Sequence, residues 1–346
     1  VRIALHLATN YFYKGDYDNA LPLSREAAAT SHRVHGPNST RYALAQATHA
    51  VFVKRLGYYE EAKQAELEAV AAYKAVMGEK HYYVAIMLGN VASTASLMGQ
   101  LDEAEQYARE SIAIYDELFD EGHPQRTAAE NNLAHIFFKQ GRHGEAQQAF
   151  RRVLEADRAT HGDDHVKLSN SIEMIASSLR MQGRQKEAIP LNEQALEIRQ
   201  RHLDPQHPDI ARSQIQYAAS LTGAGRLDDA EAQLTSALEI LQSAQPSDPL
   251  KLSARTTLGQ LYQAQGKLAE AETVYRETAD TWRESQGDQS PDLANALHRL
   301  GEVLNALGDS DGARFAVTEA VTIRNDLFGP EHPDSVASRK LLETVQ

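Results

Sequence analysis

A glycine returns along this chain at a nearly fixed interval, and an alanine follows each copy five residues later. The glycines are Gly15, Gly57, Gly99, Gly141, Gly183, Gly225, Gly266 and Gly308, and the alanines are Ala20, Ala62, Ala104, Ala146, Ala188, Ala230, Ala271 and Ala313. Of the seven intervals between glycines, six are 42 residues and one is 41. A period of this length marks stacked supersecondary units, each too small to bury its own apolar face. Function in such an array belongs on an extended surface, not in a deep pocket.

Within one period the spacing reads as two helices. Seven residues before each glycine stands a small residue: Ala8, Ala50, Ala92, Ala134, Ala176, Ala218, Gly259 or Gly301. An apolar residue usually precedes it, with His49 the exception, and a residue such as Val53, Phe137 or Leu221 comes three places later. Offsets of three and four place these on one helical face, where the small residue admits a second backbone. The glycine then makes the turn, and a second, longer amphipathic stretch follows, as in Ala104 to Tyr115. Pro22 and Pro190 fall near the start of second helices, where a slight bend is expected and a break is not.

Histidine recurs in the connecting loops at His81, His123, His165, His207 and His332, with Ser290 and Asp248 at the equivalent place. Proline follows several of these, where a first helical residue tolerates its missing N–H. The histidines lie one repeat apart, whereas a metal needs three or four ligands within about 2–2.3 Å. Helix capping is therefore the expected role, and no metal or cofactor is expected. Gly308-Asp-Ser-Asp-Gly312 lacks the distal ligands of a calcium loop and reads as a turn. The pairs Glu60-Glu61, Asp102-Glu103 and Asp228-Asp229 suit helix N-termini. Trp282, the one tryptophan, reads as core.

Composition narrows the partners. The chain of 346 residues has 35 basic and 48 acidic side chains, a net charge of −13. That balance argues against nucleic acid and anionic membrane. Cysteine is absent, which removes disulfides, thiolate metal sites and thiol catalysis. No apolar run reaches the roughly 18 residues needed to cross a bilayer, so membrane insertion is not expected. The chain opens at Val1 already in helical pattern and reads as a fragment, with the cytoplasm as the default location.

The glycine and small-residue spacing resembles the tetratricopeptide repeat, and the 42-residue period with its His-Pro loops is similar to the longer units of kinesin light chains. The resemblance covers the whole chain. It implies an all-α, right-handed α–α superhelix of eight helix–turn–helix units plus a capping helix. A single domain over 1–346 is expected, with units at 1–39, 40–81, 82–123, 124–165, 166–207, 208–248, 249–290 and 291–332, and a cap at 333–346. There Arg339, Lys340 and Glu343 are expected to face water. Nine places past the glycine, the frequent aromatic is replaced by Ser24, Glu66 and Asn192, and the loop near Pro246 is one residue short.

In arrays of this kind the first helices line a hollow face, at positions thirteen, ten, six and three before each glycine. Along that stripe and its edge stand Lys54 and Arg55, then Asn90 and Ser93, then Asn131, Asn132, His135, Phe138 and Lys139, then Asn170 and Arg180. Glu173 is its one acidic member in the fifth unit, and Ser177 lies beside it. Amides pair with a peptide backbone and cations attract carboxylates. A groove for a protein or peptide with acidic residues is the functional expectation. The plainer alternative is that these side chains are solvated, with Asn131 and Asn132 bonding across neighbouring helices. The later units offer a neutral stripe that includes Ile215, Thr222, Gln260, His298, Glu302 and Asn305. The carboxylate clamp that some tetratricopeptide domains use on chaperone tails is not expected, because its lysines are missing here.

No phosphate loop, metalloprotease helix, nucleophile elbow or dinucleotide fingerprint is present, so the chain is not expected to be an enzyme. The leading expectation is an interaction scaffold. The alternative is a regulatory arm of a larger signalling kinase or NTPase. Self-association through an uncapped first unit is a third possibility.

Overall fold

The structure is a computed structural model that describes residues 2–120 and 122–345. Among the described residues there are seventeen α-helices and no strand. The first helices of the eight pairs are Arg2–Tyr13 (α1), Thr40–Arg55 (α3), Tyr82–Leu97 (α5), Pro124–Lys139 (α7), Val166–Met181 (α9), Pro208–Gly223 (α11), Pro249–Ala264 (α13) and Pro291–Leu307 (α15). Their partners are Tyr17–His35 (α2), Tyr59–Met77 (α4), Leu101–Leu118 (α6), His143–His161 (α8), Gln185–His202 (α10), Leu227–Ile240 (α12), Leu268–Gln286 (α14) and Ser310–Phe328 (α16). Pro333–Thr344 (α17) closes the series. The fold is thus the all-α helix-pair array read from the period, eight pairs and a final helix. The chain divides into two compact units, Val1–Ile136 and Phe137–Gln346.

The turn inside each pair has one chemistry. Gly57 adopts φ +85°, its N–H bonds to the Lys54 carbonyl at 3.1 Å, and the next N–H, of Tyr58, reaches back to Val53 at 2.9 Å. This six-to-one bond satisfies an orphan carbonyl at the helix end and requires the left-handed backbone that glycine supplies. The same bond recurs from Asp16, Gln100, Arg142, Arg184, Arg226, Lys267 and Asp309, each the residue after its glycine.

The recurrent alanines after the turn are buried, and so are the small residues before it, from Ala8 to Ala218. Where the latter is glycine the approach is closest. A Cβ on Gly259 would sit 2.6 Å from Tyr275 Cε1. In the first unit the core gathers around Val84, Leu88, Tyr73 and Tyr115. In the second, one cluster holds Ile215, Leu221 and Leu234, and another holds Leu252, Tyr275, Trp282 and Leu293. Trp282 is therefore core.

The loop histidines cap helices. Nδ1 of His81, His123, His165, His207 and His332 accepts from the N–H two residues on, at 3.1–3.3 Å. Asp248 and Ser290 accept in the same way at their own helix starts. Asp309 caps α16, so Gly308 and Asp309 make the inter-helix turn and Ser310 to Gly312 are already the first turn of the helix. The acidic pairs lie in first helical turns. Helices α2 and α10 run unbroken through Pro22 and Pro190.

Two local differences from the sequence reading stand out. The second helix is longer in every pair except the sixth, where α12 has 14 residues against 16 in α11. Leu241 caps that helix, its N–H bonding to the Ala237 carbonyl at 3.1 Å, and the connection from there to Asp248 contains Pro246. In α17, Lys340 and Glu343 are exposed as expected, whereas Arg339 is half-buried and bonds to Asn325 Oδ1 at 3.5 Å.

Candidate functional site

In the first unit the candidate residues lie on α3, α5 and α7. Arg55 and His135 are exposed, and Asn90, Ser93, Asn131 and Asn132 are half-buried. Lys54 is engaged inward: Nζ lies 2.7 Å from Glu66 Oε1 and 3.5 Å from the Asn90 carbonyl. Glu66 is 2% exposed and also accepts from Thr94 Oγ1 at 2.7 Å. A buried carboxylate requires a counter-charge, so Lys54 neutralises the interior before it can attract anything outside. Asn132 Nδ2 donates to the Gly89 carbonyl at 3.2 Å, the cross-helix bond of the plainer alternative.

In the second unit, Phe138 is half-buried and meets the His143 ring edge-on at 5.0 Å between centroids. Lys139 is exposed, and its carbonyl accepts from His332 Nε2 at 2.5 Å. That histidine uses Nδ1 to cap α17, so the tautomer with the proton on Nε2 serves both bonds. Pro333 packs on the same turn, where a Cβ on Gly141 would be 2.6 Å from its Cγ. The loop before α17 therefore rests against the start of α8.

Asn170 is exposed, yet its Oδ1 accepts from Arg199 Nη2 at 2.7 Å. Glu173 and Ser177 are buried. Arg199 Nη1 lies 2.5 Å from Glu173 Oε1 and 2.6 Å from Ser213 Oγ. Burial pushes the Glu173 carboxyl up, against the pull of Arg199 and Ser213. The one acidic member of that stripe is thus withdrawn into the core. Arg180, at the end of α9, is half-buried with Nε enclosed and without a hydrogen-bond partner. Burial pushes its guanidinium down, and the Arg299 charge acts in the same direction.

One arrangement imitates a catalytic triad. Ser24 Oγ is 2.9 Å from His49 Nδ1, and His49 Nε2 is 2.9 Å from Glu61 Oε1. A hollow of about 430 Å³ lies beside it, lined by Arg25, His32, Tyr42, Gln46, His49 and Glu68 among others. Ser24, however, is 0% exposed, and its hydroxyl also faces the Leu21 carbonyl at 2.9 Å. Glu61 is clamped by both arms of Arg25, at 2.7 and 2.6 Å. A nucleophile must reach a substrate carbonyl, and this one is sealed by packing. Burial lowers the His49 pKa, with Glu61 opposing it, as befits an interior polar link.

Among the described residues no group of histidines and carboxylates could hold a metal ion, and no helix is long and apolar enough to cross a membrane.

The tetratricopeptide repeat family matches residues 1–75, 44–117, 125–201, 187–243 and 251–326. The chain belongs to that family. Among solved structures, this tetratricopeptide array is similar to the kinesin-light-chain-type repeats of Podosopora anserina, at 24% identity over 60% of this chain and 98% of that one, with a TM-score of 0.49. BtubC (BKLC) of P. vanneervenii shares 19% identity over 67% of this chain and 94% of its own, with a TM-score of 0.56. A Rap protein complexed with Competence and Sporulation Factor shares 15% identity over 94% of this chain and 98% of its own, with a TM-score of 0.64. No curated protein matches the chain significantly.

At three of the positions where this array lacks the usual tetratricopeptide aromatic, a polar residue makes an interior link. Ser24 meets His49, Glu66 meets Lys54 and Thr94, and Asn192 donates to Ser220 Oγ at 2.7 Å. The sequence signalled these sites by their odd residues. It gave no comparable signal for His143 or Arg299, which reach the neighbourhood of Arg180 only in three dimensions.

Proposed function

We propose that this tetratricopeptide array is a protein-interaction scaffold that holds a protein or peptide segment bearing acidic residues on the open face of its first helices. What supports the reading is a set of cationic and amide side chains carried by the first helices in a chain of net charge −13. In the first unit the set is Arg55, Asn90, Ser93, Asn131, Asn132 and His135, with Lys54 held back by Glu66. In the second it is Phe138, Lys139, Asn170 and Arg180. A cation on an acidic protein attracts acidic ligands locally while the bulk charge rejects non-specific polyanions. The Rap protein of similar fold, solved with Competence and Sporulation Factor, supports this use of the fold.

The test is a fluorescent glutamate-rich peptide titrated by anisotropy. The variants are Arg55→Glu and Lys139→Glu, singly and together. The double variant is expected to bind at least tenfold more weakly, about 1.4 kcal/mol. Equal affinity in all four proteins overturns the acidic-ligand reading. Lys54 is left intact because its reversal would place two carboxylates together in the interior.

A further inference from the structure

We infer that the second unit contains an oxyanion site centred on Arg180, where the end of α9 meets the start of α8. The inference deepens the scaffold reading by giving one of its residues a ligand chemistry. It rests on that reading only for placing the ligand on the repeat face.

The first argument is an unbalanced charge. Other arginines of this unit have partners: buried Arg199 has Glu173, buried Arg324 Nη1 has the Asp334 carbonyl at 2.9 Å, the more exposed Arg299 Nη1 has Glu302 Oε2 at 2.9 Å, and Arg158 Nε, also enclosed without a hydrogen bond, has Asp163 Oδ1 at 3.5 Å. Arg180 has an enclosed Nε with no partner and forms no ion pair among the described residues. The charge that acts on it is that of Arg299, of the same sign. A half-buried cation with an enclosed, unpartnered Nε and a second cation beside it gains from an anion that completes it.

The second argument is an unused polar group beside it. His143 Nδ1 is buried without a hydrogen-bond partner, and the charge of Arg180 acts on that ring. Gln182, two residues past Arg180, donates to the His143 carbonyl at 3.3 Å and ties the two helix ends together. The loop carrying His332 and Pro333 covers the same turn. Of the nearby carboxylates, Glu302 accepts from Arg299 and faces His298 Nε2 at 3.5 Å, and Asp334 lies by His332 Nδ1 at 3.9 Å, from where its charge also acts on His143. A guanidinium fork beside one imidazole suits a group presenting two or three oxygens.

That group is either free phosphate or the carboxylate of a bound acidic segment. The experiment uses the whole chain in chloride buffer at fixed ionic strength, titrated calorimetrically with inorganic phosphate and, separately, with the glutamate-rich peptide. Arg180→Gln is expected to weaken whichever ligand binds by at least tenfold. Its own melting temperature without ligand is expected to rise, because an unpaired charge has gone. Arg180→Lys keeps the charge but loses the fork, and should give an intermediate affinity. Phosphate binding identifies a free anion, and peptide binding alone identifies the carboxylate. Either one, lost in Arg180→Gln, supports the site. Binding unchanged in Arg180→Gln, or absent for both ligands in the unmutated chain, overturns it. Arg276→Gln, which removes an exposed cation on α14 outside both sets, should leave phosphate binding unchanged, and because the phosphate arm does not use the acidic-peptide reading, failure of that reading remains separable.

Discussion

Arg199 and Arg324 hold the same constellation of groups three repeats apart. Each guanidinium reaches an asparagine Oδ1 at 2.7 Å, Asn170 in one case and Asn295 in the other. Each also reaches a serine Oγ, Ser213 at 2.6 Å and Ser338 at 2.5 Å, and an aspartate carbonyl, Asp209 at 3.0 Å and Asp334 at 2.9 Å. Every member of the second set stands 125 residues after its counterpart. One position differs: His298 takes the place of Glu173, and its Nδ1 meets Ser338 Oγ at 3.0 Å.

Removing one partner of such an enclosed pair leaves the other uncompensated. Arg199→Met is expected to cost about 3–5 kcal/mol in urea unfolding. Glu173→His, which copies the arrangement around Arg324, should cost clearly less. Equal losses would show that the carboxylate at position 173 is indispensable.

Glu302 sets an acid-sensitive contribution. Burial opposes its ionisation, but bonds from His298 and Arg299 outweigh that and hold its pKa at about 2, below the ordinary 4.5. A depressed carboxylate stabilises the fold above pH 4.5, and the contribution is lost as pH falls from there towards 2. Its full size is up to about 3 kcal/mol. Glu302→Gln should lower stability at pH 7 and flatten the decline between pH 5 and 2 in thermal melts. A variant with the parent's acid limb would contradict this.

Gly259 lies under the Tyr275 ring, which is fully buried and cannot swing away. Gly259→Ala gains about 1 kcal/mol of helix propensity. It also forces a methyl into ring carbons 2.6 and 2.7 Å away. Overpacking costs about 1–3 kcal/mol, so a net loss of stability is expected by calorimetry.

Ser24 tests the triad mimic. A fluorophosphonate probe should leave the folded chain unlabelled, with labelling read by mass spectrometry. Ser24→Ala strands His49 Nδ1 in the interior and should destabilise the fold by about 1–3 kcal/mol. Labelling of Ser24 in the native state would reopen a hydrolytic reading.

The fold was legible because each repeat states its own local rules. Gly57 announces its turn through the left-handed backbone, Ala62 its close packing and His81 its cap, and none of these needs a distant residue. The polar links were half legible. Glu66 was visible as an intruder at an aromatic position, but its choice of Lys54 and Thr94 depends on side-chain reach across three helices. The Arg199 set was missed because a residue sixteen places past the turn glycine reads as a helix surface until Asn170 and Ser213 are folded against it. Aligning the fifth repeat with the eighth would have exposed it, since the same residue types recur together. Nothing periodic signalled the division between Ile136 and Phe137, which falls inside one helix.

The contact of His332 with the Lys139 carbonyl joins residues 193 positions apart within the second unit. An array with neighbour-only contacts unravels from its ends like a zip. A clasp between the last loop and an early turn adds a tie of another kind, because the start of α17 cannot lift away without breaking the His332 bond and drawing Pro333 off Gly141. Fraying at that end is therefore opposed by a long-range contact as well as by the packing of α17 on α16.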